Sequence, residues 1–259
     1  MKSSESISYL LFLLIAFHSC AKDNNTDDQN DNTKIQEYAD KYIIEMDKNY
    51  IISTVSYISY ESNNNYNISF VYSDKQVTRA TIYVYPASTL IKKYYLNNKG
   101  LADSCSSGTY QNKEPIFAAK AYFSYDSEGY LISMTERNDN PYSDNTPYTT
   151  TFEYISGNKS KMISDPSRPG ISGKYISYTY NSYDNLVNIE TFTGSYLGKL
   201  NKNLVQSMYT GGSMLDNPPC GKYQYTLNSN GLAEKRITTS CNVQNTYILT
   251  TSYEYKISN

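Results

Sequence analysis

The sequence predicts a mainly β protein: an antiparallel meander of consecutive hairpins with about 12–14 strands, forming a curved sheet or barrel-like shell, plus one short N-terminal helix. Three observations predict this fold. Two aromatic residues separated by one position recur along the chain, turn residues return about every 28 positions, and apolar and polar residues alternate between the turns. Such alternation is typical of strands that bury one face and expose the other.

The recurring aromatic pair predicts where the strands lie. The pairs are Phe70 and Tyr72, Phe123 and Tyr125, Phe152 and Tyr154, Tyr178 and Tyr180, Tyr223 and Tyr225, and Tyr253 and Tyr255. Turns are expected near Lys75, Gly100, Gly129, Gly157, Asn185 and Gly231. Hydrophobic residues make up only 39% of the 259 residues, but 30 of the residues are Tyr. A Tyr ring buries a large face while its hydroxyl stays hydrated, so we expect most of these rings on the core face.

The N-terminus has the pattern of a secretion signal. Lys2 precedes an apolar run, residues 7–17, that is too short to span a bilayer as a helix. Ser19 followed by Cys20 resembles the lipobox of bacterial lipoproteins, in which the Cys is lipidated and becomes the new N-terminus. We therefore expect a signal peptide over 1–19, lipid on Cys20, and a flexible polar tether over 20–33. Ordinary cleavage near Ser19, with Cys20 left free, is the alternative.

The resemblance also implies a location. Ala21, rather than Asp, follows the lipidated position, which in bacterial lipoproteins favours export to the outer membrane. Lys22 and Asp23 resemble the short charged signal that directs some lipoproteins to the outer surface. The expected location is the outer membrane, with the protein held by lipid; surface and periplasmic orientations both stay open.

The segment after the tether carries a helical pattern. Its apolar residues fall on one stripe with a spacing of three and four: Ile35, Tyr38, Ala39, Tyr42, Ile43 and Met46. Thr33 followed by Gln36 forms a capping-box pattern. The spacing predicts a helix over 34–48 that packs on an edge or end of the sheet. No change in composition divides the rest, so 34–259 is expected to be one β-rich domain, with an extra hairpin within 194–218.

One repeat supports a family resemblance. Residues 123–131 read Phe-Ser-Tyr-Asp-Ser-Glu-Gly-Tyr-Leu and look like the YD repeat of RHS-type proteins, with looser copies at 180–186 and 225–232. A lipoprotein signal followed by degenerate repeats resembles a group of uncharacterised bacterial outer-membrane or surface lipoproteins with a porin-like β fold. The resemblance covers about residues 50–259. It implies an architecture and no particular activity.

The cysteines suggest one disulfide. If Asn230 and Gly231 form a two-residue turn, the hairpin around them places Cys220 opposite Cys241 at a separation that a disulfide can bridge. A three-residue turn with Gly231 at a bulge displaces the two cysteines by one position and points them to opposite faces. Both alternatives are open in the sequence. Cys105 is then left over, and we expect a buried thiol and not a nucleophile.

Several kinds of chemistry have no residues to perform them. The single His of the chain, His18, lies in the predicted signal, and no two cysteines have the spacing of a zinc site. We assign no catalytic residue and expect no cofactor or metal. Only carboxylate chemistry remains available, from Glu136, Asp139, Asp144, Glu153, Asp165 or Glu190. The net charge of −2 gives no indication of nucleic-acid binding.

Three functions therefore stay open. The first is a non-enzymatic, lipid-anchored binding module for a glycan or a protein partner. The second is a hydrolase of extracellular polysaccharide that depends on two carboxyl groups. The third is a structural accessory of the outer membrane. An exposed, contiguous aromatic patch favours the first, and a cleft with two facing carboxyls favours the second.

Overall fold

The protein folds as a closed barrel of fifteen strands. The computed structural model describes residues 36–111, 114–139, 146–164, 175–211, 220–240 and 247–258. The strands are β1 (Gln36–Asp47), β2 (Ile52–Ser59), β3 (Tyr66–Tyr72), β4 (Gln76–Tyr83), β5 (Ser88–Leu96), β6 (Ala102–Gln111), β7 (Glu114–Tyr125), β8 (Leu131–Asn138), β9 (Tyr148–Ile155), β10 (Asn158–Ser164), β11 (Tyr175–Asp184), β12 (Asn203–Gly211), β13 (Cys220–Leu227), β14 (Ala233–Ser240) and β15 (Tyr247–Ser258). The predicted meander of hairpins is confirmed, with one strand more than the expected range.

The barrel closes between its first and last strands. Each strand pairs antiparallel with the next in sequence, and β1 pairs with β15 in parallel, from Gln36 beside Tyr247 to Asp47 beside Ser258. An odd number of up-and-down strands leaves the first and last strands running the same way, so closure has to be parallel. Closure leaves no strand edge for another chain to pair with.

The predicted helix over 34–48 is wrong, because its described residues form β1. The strand directs Tyr42, Ile44 and Met46 inward with a period of two, and Ile44 and Met46 are completely buried. A short helix packed on the sheet would satisfy only its own backbone, whereas β1 hydrogen-bonds to two neighbours and removes both open edges of the sheet. The aromatic and β-branched content of the segment suits a strand equally well. The predicted signal peptide and tether lie outside the described residues.

The two ends of the barrel differ. We call the end where β1 finishes and β2 begins the turn end, and the end where β1 and β15 begin the loop end. Four turns at the turn end share one geometry: a side-chain oxygen of the first residue accepts the backbone N–H groups of the third and fifth residues. The four first residues are Asp47, Asn97, Asp126 and Asn228. All the turns predicted from sequence fall at this end.

The fourth residue of each of these turns has a left-handed backbone. Glycine occupies this position in three turns, with φ of 73° at Gly100, 92° at Gly129 and 77° at Gly231. In the first turn the position is taken by Tyr50, with φ of 61°. A side chain at such a φ is strained, since its Cβ approaches the backbone carbonyl. Tyr50 is therefore a local weak point of the fold.

The recurring aromatic pairs line the inside of the turn end, as predicted for a core face. The second Tyr of several pairs also donates its hydroxyl hydrogen to a carbonyl at the start of the preceding strand. These bonds are Tyr72 to Ile52 at 2.9 Å, Tyr125 to Ala102 at 2.9 Å, Tyr180 to Lys159 at 2.8 Å and Tyr255 to Ala233 at 2.8 Å. Irregular pairing beside the turns frees these carbonyls from the ladder. The repeat thus encodes a strand pair that is pinned at its turn.

The connection between β11 and β12 enters the barrel. We call residues 185–202 the inner segment; it includes one 3₁₀ turn, Ser195–Leu197. Val187, Ile189, Phe192 and Tyr196 of this segment are buried in the core. The interval predicted to hold an extra hairpin contains instead the later part of this segment and strand β12. In this interval Tyr196 and Leu197 pack into the core of the barrel instead of forming part of a hairpin.

The inner segment is hydrogen-bonded to two nearby turns, the one between β9 and β10 and the one between β7 and β8. The Lys199 N–H donates to the Gly129 carbonyl at 2.9 Å, and the Lys202 N–H donates to the Gly157 carbonyl at 3.0 Å. At Gly198, with φ of 95°, an added Cβ would lie 2.9 Å from the Gly129 oxygen. Only glycine lets the two backbones approach so closely. The segment therefore closes the lumen at the turn end.

The turn between β13 and β14 is the three-residue alternative. The Asn228 N–H donates to the Leu232 carbonyl at 2.9 Å, and Leu227 pairs with Ala233. A shift of register between Thr226 and Leu227 follows immediately. This bulge restores the register that the two-residue turn would have given.

The restored register bears on the predicted disulfide. Gly221 pairs with Ser240, so one further step of the same register sets Cys220 opposite Cys241. The Cys220 side chain and the whole of Cys241 lie outside the described residues. The disulfide therefore stays a prediction. Within the described ranges, no helix has the length and apolar character needed to cross a membrane, a finding that concerns helices alone.

Candidate binding site in the barrel lumen

The lumen has an apolar half and a polar half. At the turn end the inward residues are buried against one another and against the inner segment, as Val55, Ile68 and Val77 show with 0–2% exposure. Toward the loop end the inward residues become Tyr, Thr and charged side chains. Several of these, including Tyr57 and Tyr83, keep part of their surface accessible although they point into the barrel. The polar half is thus incompletely filled by protein, and it is the candidate site.

One row of polar side chains crosses four strands of this half. Register places Asp40 beside Thr251, Thr251 beside Arg236, and Arg236 beside Tyr225, all on the inner face of β1, β15, β14 and β13. The Arg236 guanidinium lies 5.5 Å from the ring centre of Tyr223 and 6.0 Å from that of Tyr253. Such cation–π contacts hold the charge within the lumen.

Many polar atoms in this row and beside it have no hydrogen-bond partner among the described residues. They are Asp40 Oδ1, Arg236 Nε and the hydroxyl oxygens of Tyr225, Thr238, Thr251, Tyr253 and Tyr178. A buried polar atom without a partner costs about 1–3 kcal/mol. A concentration of such atoms on one side of a lumen is typical of a surface that a polar ligand or ordered water completes. Burial raises the pKa of Asp40. The nearby Thr251 hydroxyl and the positive charge of Arg236 lower this pKa, but burial has the larger effect.

The inner segment contributes a carboxyl to the same region. Burial raises the pKa of Glu190, and the opposing charges of Lys159 and Arg236 only partly offset this effect. Burial likewise lowers the pKa of Lys159, opposed by Glu190. The Lys159 ammonium also lies 5.0 Å from the ring centre of Tyr178 and 5.6 Å from that of Phe152. Both shifts disfavour the charged forms, because the barrel removes much of the water around each group.

A second group of charges lies on β4, β5 and β8. Arg79 is the direct cross-strand neighbour of Lys92, and both point inward. Glu136 faces the same space from β8, where it pairs with buried Ala121. Burial lowers the pKa of Lys92 and the Arg79 charge adds to this effect, whereas Glu136 opposes it.

The carboxylates named from the sequence do not converge as a set. Glu136 and Glu190 face the lumen in different charge groups, whereas Glu153 points outward and Asp139 pairs with Lys120 and Arg137 on the outer wall. Asp144 and Asp165 lie outside the described residues. Within the described part of the chain no group of three or more His, Cys, Asp or Glu residues could hold a metal ion.

The prediction that Cys105 is a buried thiol is confirmed. Its side chain is buried, with no disulfide partner, and burial raises its pKa to about 12. A thiol with so high a pKa carries almost no thiolate at neutral pH and is a poor nucleophile. Its small side chain packs inside the barrel below the second charge group.

Sequence reasoning missed Asp40, Arg79, Lys92, Lys159 and Arg236 as lumen residues. Asp40 and Lys92 occupy inward positions in strands whose other inward residues are mainly apolar or aromatic, whereas Arg236 shares its face with buried Thr238 and Ser240. A charged residue on the apolar phase of a strand is the signal that could have found them. Asp40 was hidden because its segment was interpreted as a helix.

Fold and lumen together define the class of the protein: a closed up-and-down β-barrel whose lumen is plugged at one end and polar toward the other. No protein-family model matches the chain, and a search of curated proteins finds no significant match. Among solved structures, the chain is similar to a porin-like protein from Bacteroides uniformis ATCC 8492, with 16% sequence identity and a TM-score of 0.52. The match covers 77% of this chain and 82% of that one. This similarity shows a shared porin-like barrel fold.

Proposed function

We propose that the protein is a lipid-anchored cell-envelope binding module that takes a glycan into its lumen from the loop end and performs no catalysis. The observation that carries this proposal is the polar half of the lumen, where partly accessible tyrosine rings lie beside buried polar atoms that have no hydrogen-bond partner among the described residues. Tyr rings stack on the apolar faces of sugars, and Arg and Asp bind their hydroxyls. Closure of the turn end by the inner segment supports a binding cup and disfavours a through-channel.

The outer wall supports anchoring by lipid over insertion of the barrel itself. The Lys41 ammonium lies 2.6 Å from a Glu254 carboxylate oxygen on this wall, and Lys256 lies 3.9 Å from Glu45. These four charges lie at outward positions in the halves of β1 and β15 nearer the turn end. A membrane-spanning barrel needs an apolar outer band about 25 Å tall. Ion pairs in that band would be costly, so we place the barrel outside the lipid and assign its attachment to Cys20.

Attachment is tested by mass spectrometry of the N-terminal peptide and by membrane fractionation. The expected result is a lipid-modified peptide that begins at Cys20, and release of the Cys20→Ala variant from the membrane fraction. A peptide that begins elsewhere with an unmodified Cys20, or a Cys20→Ala variant that still sediments with membranes, would contradict the anchor.

Glycan binding is tested on an array with the full chain that carries Cys20→Ala. Tyr83→Ala removes an inward ring of the polar half, and Tyr122→Ala removes a ring from the outer wall as the matched control. Loss of one aromatic contact costs about 0.5–1.5 kcal/mol, or roughly two- to tenfold in affinity. We expect this loss for Tyr83→Ala alone. Absence of any glycan ligand, with capture of a membrane protein instead, would favour the structural role.

A carboxylate-dependent hydrolase is the second candidate. Asp40 and Glu190 both have raised pKa values, and both lie close enough to Arg236 for its charge to affect them. A glycosidase needs one such protonated acid and a second carboxylate about 5–10 Å away. Release of reducing sugar from an extracellular polysaccharide, abolished by both Asp40→Asn and Glu190→Gln, would favour catalysis over binding.

A further inference from the structure

A group of apolar side chains is exposed on one side of the loop end. We call Tyr60, Ile82, Val84 and Tyr85 the rim patch, and each of them is more than half exposed. Tyr60 directly follows the loop-end residue of β2, and the other three lie at the loop end of β4 or just beyond it. A single exposed apolar side chain is ordinary, whereas a group of them marks an interaction surface. The rim patch therefore fits a surface that another molecule covers.

Backbone hydrogen bonds hold the rim patch in place. The Val84 N–H donates to the Asn65 carbonyl at 3.0 Å, and the Tyr60 N–H donates to the Ala39 carbonyl at 3.3 Å. These bonds carry the pairing of the wall beyond the last residues of β4 and β2. Val84 points outward, because Tyr83 before it points inward. The apolar side chains are thus fixed on the outer edge of the rim and do not fold back into the core.

The chain leads from this same end of the barrel toward the proposed lipid anchor. Gln36 opens β1 at the loop end and comes sixteen residues after Cys20. A polar tether of this length spans about 20–24 Å on average and at most about 55 Å. A wall built of strands as long as β1, which has 12 residues, is about 30 Å tall once strand tilt is included. The tether would have to stretch well beyond its average span to bring the turn end to the membrane.

We propose that the rim patch docks on the phospholipid surface to which Cys20 is anchored. This inference rests on the lipid anchor of the proposed function, because the anchor supplies the nearby membrane. Tyr is enriched at membrane–water interfaces, where its ring is buried and its hydroxyl stays hydrated. Ile82 and Val84 add apolar area, with which interfacial binding strengthens. Because β2–β4 make up one side of the wall, the barrel leans on the membrane without having its mouth covered.

A single fluorescent residue can test this docking, because the chain contains no Trp. The lipidated chain with Tyr85→Trp is placed on vesicles of phosphatidylcholine and phosphatidylethanolamine whose acyl chains are brominated, since bromine quenches Trp on contact. The matched control is Val71→Trp near the turn end of β3, where Val71 is 67% exposed and Tyr85 is 68% exposed. We expect Tyr85→Trp to lose fluorescence and to emit at shorter wavelength, and Val71→Trp to do neither.

The other outcomes separate this inference from the anchor. Quenching at both positions would mean that the barrel itself lies in lipid, and quenching at neither would mean that it hangs away from the surface. Either result would overturn docking by the rim patch, and sedimentation of the protein with the vesicles would leave the anchor intact. A lipidated chain that does not sediment with vesicles would overturn the anchor and the docking together.

A charge placed in the rim patch gives a second measurement. Val84→Asp, added to the Tyr85→Trp chain, should restore its fluorescence, because a carboxylate resists transfer out of water. Val71→Asp in the same chain should leave the quenching unchanged. Both positions are exposed, so neither change should alter the melting temperature.

This measurement can also contradict the docking. Equal quenching with Val84→Asp and Val71→Asp would overturn it. So would self-association of the Cys20→Ala chain that Val84→Asp abolishes while quenching stays the same, because the patch would then bind a second copy of the chain.

Discussion

Phe192 of the inner segment packs against Tyr42 of β1, with ring centres 4.9 Å apart. Tyr42 also lies 4.9 Å from the ring of Tyr57 and 5.6 Å from that of Tyr253. The contact joins the inner segment to the strand that closes the barrel and to both neighbours of that strand. Closure of the wall and filling of the lumen are therefore coupled at one aromatic cluster.

Truncation of Phe192 should weaken the whole barrel. Its side chain is 4% exposed, and deletion of a buried Phe side chain costs about 3–5 kcal/mol. We expect Phe192→Ala to lower the free energy of unfolding by this amount in urea denaturation. Tyr85→Ala, which removes a ring that is 68% exposed, is the control and should change it by less than about 0.5 kcal/mol. A Phe192→Ala protein as stable as the control would contradict the coupling.

Glycine at position 50 should stabilise the protein. A side chain in the left-handed region costs about 1–2 kcal/mol, and glycine returns about 0.5–1 kcal/mol of that through its greater freedom when unfolded. We expect Tyr50→Gly to raise the free energy of unfolding by about 0.5–1 kcal/mol. The converse control is Gly100→Ala in an equivalent turn, where a new Cβ meets nothing within 4 Å and only the backbone is strained. That change should destabilise, and equal signs for the two variants would refute the strain.

Removal of the hydroxyl group should lower the stability of the protein at Tyr125 but not at Tyr94. Tyr125 donates to the Ala102 carbonyl at 2.9 Å, whereas the hydroxyl of Tyr94 has no hydrogen-bond partner among the described residues. Loss of a hydrogen bond costs about 1 kcal/mol, and loss of an unpaired buried hydroxyl is neutral or favourable. We expect Tyr125→Phe to destabilise and Tyr94→Phe not to, as measured by thermal denaturation. Tyr122→Phe on the outer wall of β7 is the control, and the idea fails if Tyr125→Phe behaves like it.

Glu190 should make stability depend on pH in an unusual direction. Burial raises its pKa above the ordinary 4.5, so the folded chain holds this proton more tightly than the unfolded chain. The stability that Glu190 contributes is complete below pH 4.5 and declines as pH rises through the folded pKa. Wild type should therefore lose stability relative to Glu190→Gln as pH rises above about 4.5.

Glu254 supplies a control of opposite sign. Its exposed carboxylate pairs with Lys41, whose ammonium lowers its pKa. The stability from that pair is present above pH 4.5 and is lost as pH falls through the folded pKa. Wild type should gain relative to Glu254→Gln as pH rises. Parallel pH profiles for both variants would show that the buried environment of Glu190 is not as described.

The register of β13 and β14 supports the predicted disulfide. Mass spectrometry of peptides cut without reduction should yield one species that contains both Cys220 and Cys241. Cys105 should react with an alkylating reagent only after unfolding, because it is buried. Recovery of Cys220 and Cys241 as separate free thiols from oxidatively prepared protein would contradict the bridge.

Local pattern was sufficient for the strands between Ile52 and Ser258. Alternation and turn residues placed them because each hairpin buries its own inward residues beside its own turn. The β13–β14 turn shows the limit of such reasoning. The protein has the three-residue turn, and a bulge at Thr226 then restores the register that the two-residue turn would have given. Because the longer turn and the bulge cancel, the alternation of apolar and polar residues in either strand does not reveal them.

The sequence by itself determined the aromatic inner face and the meander of hairpins, since these depend on neighbours close in the chain. Tertiary structure decided three further features: that residues 36–47 form a strand, that residues 185–202 enter the lumen, and that Asp40 of β1 shares the lumen with Arg236 of β14. Each of these depends on closure of the barrel. Only a closed wall offers β1 two partners, encloses a lumen to be filled, and brings distant charges into one space of low dielectric.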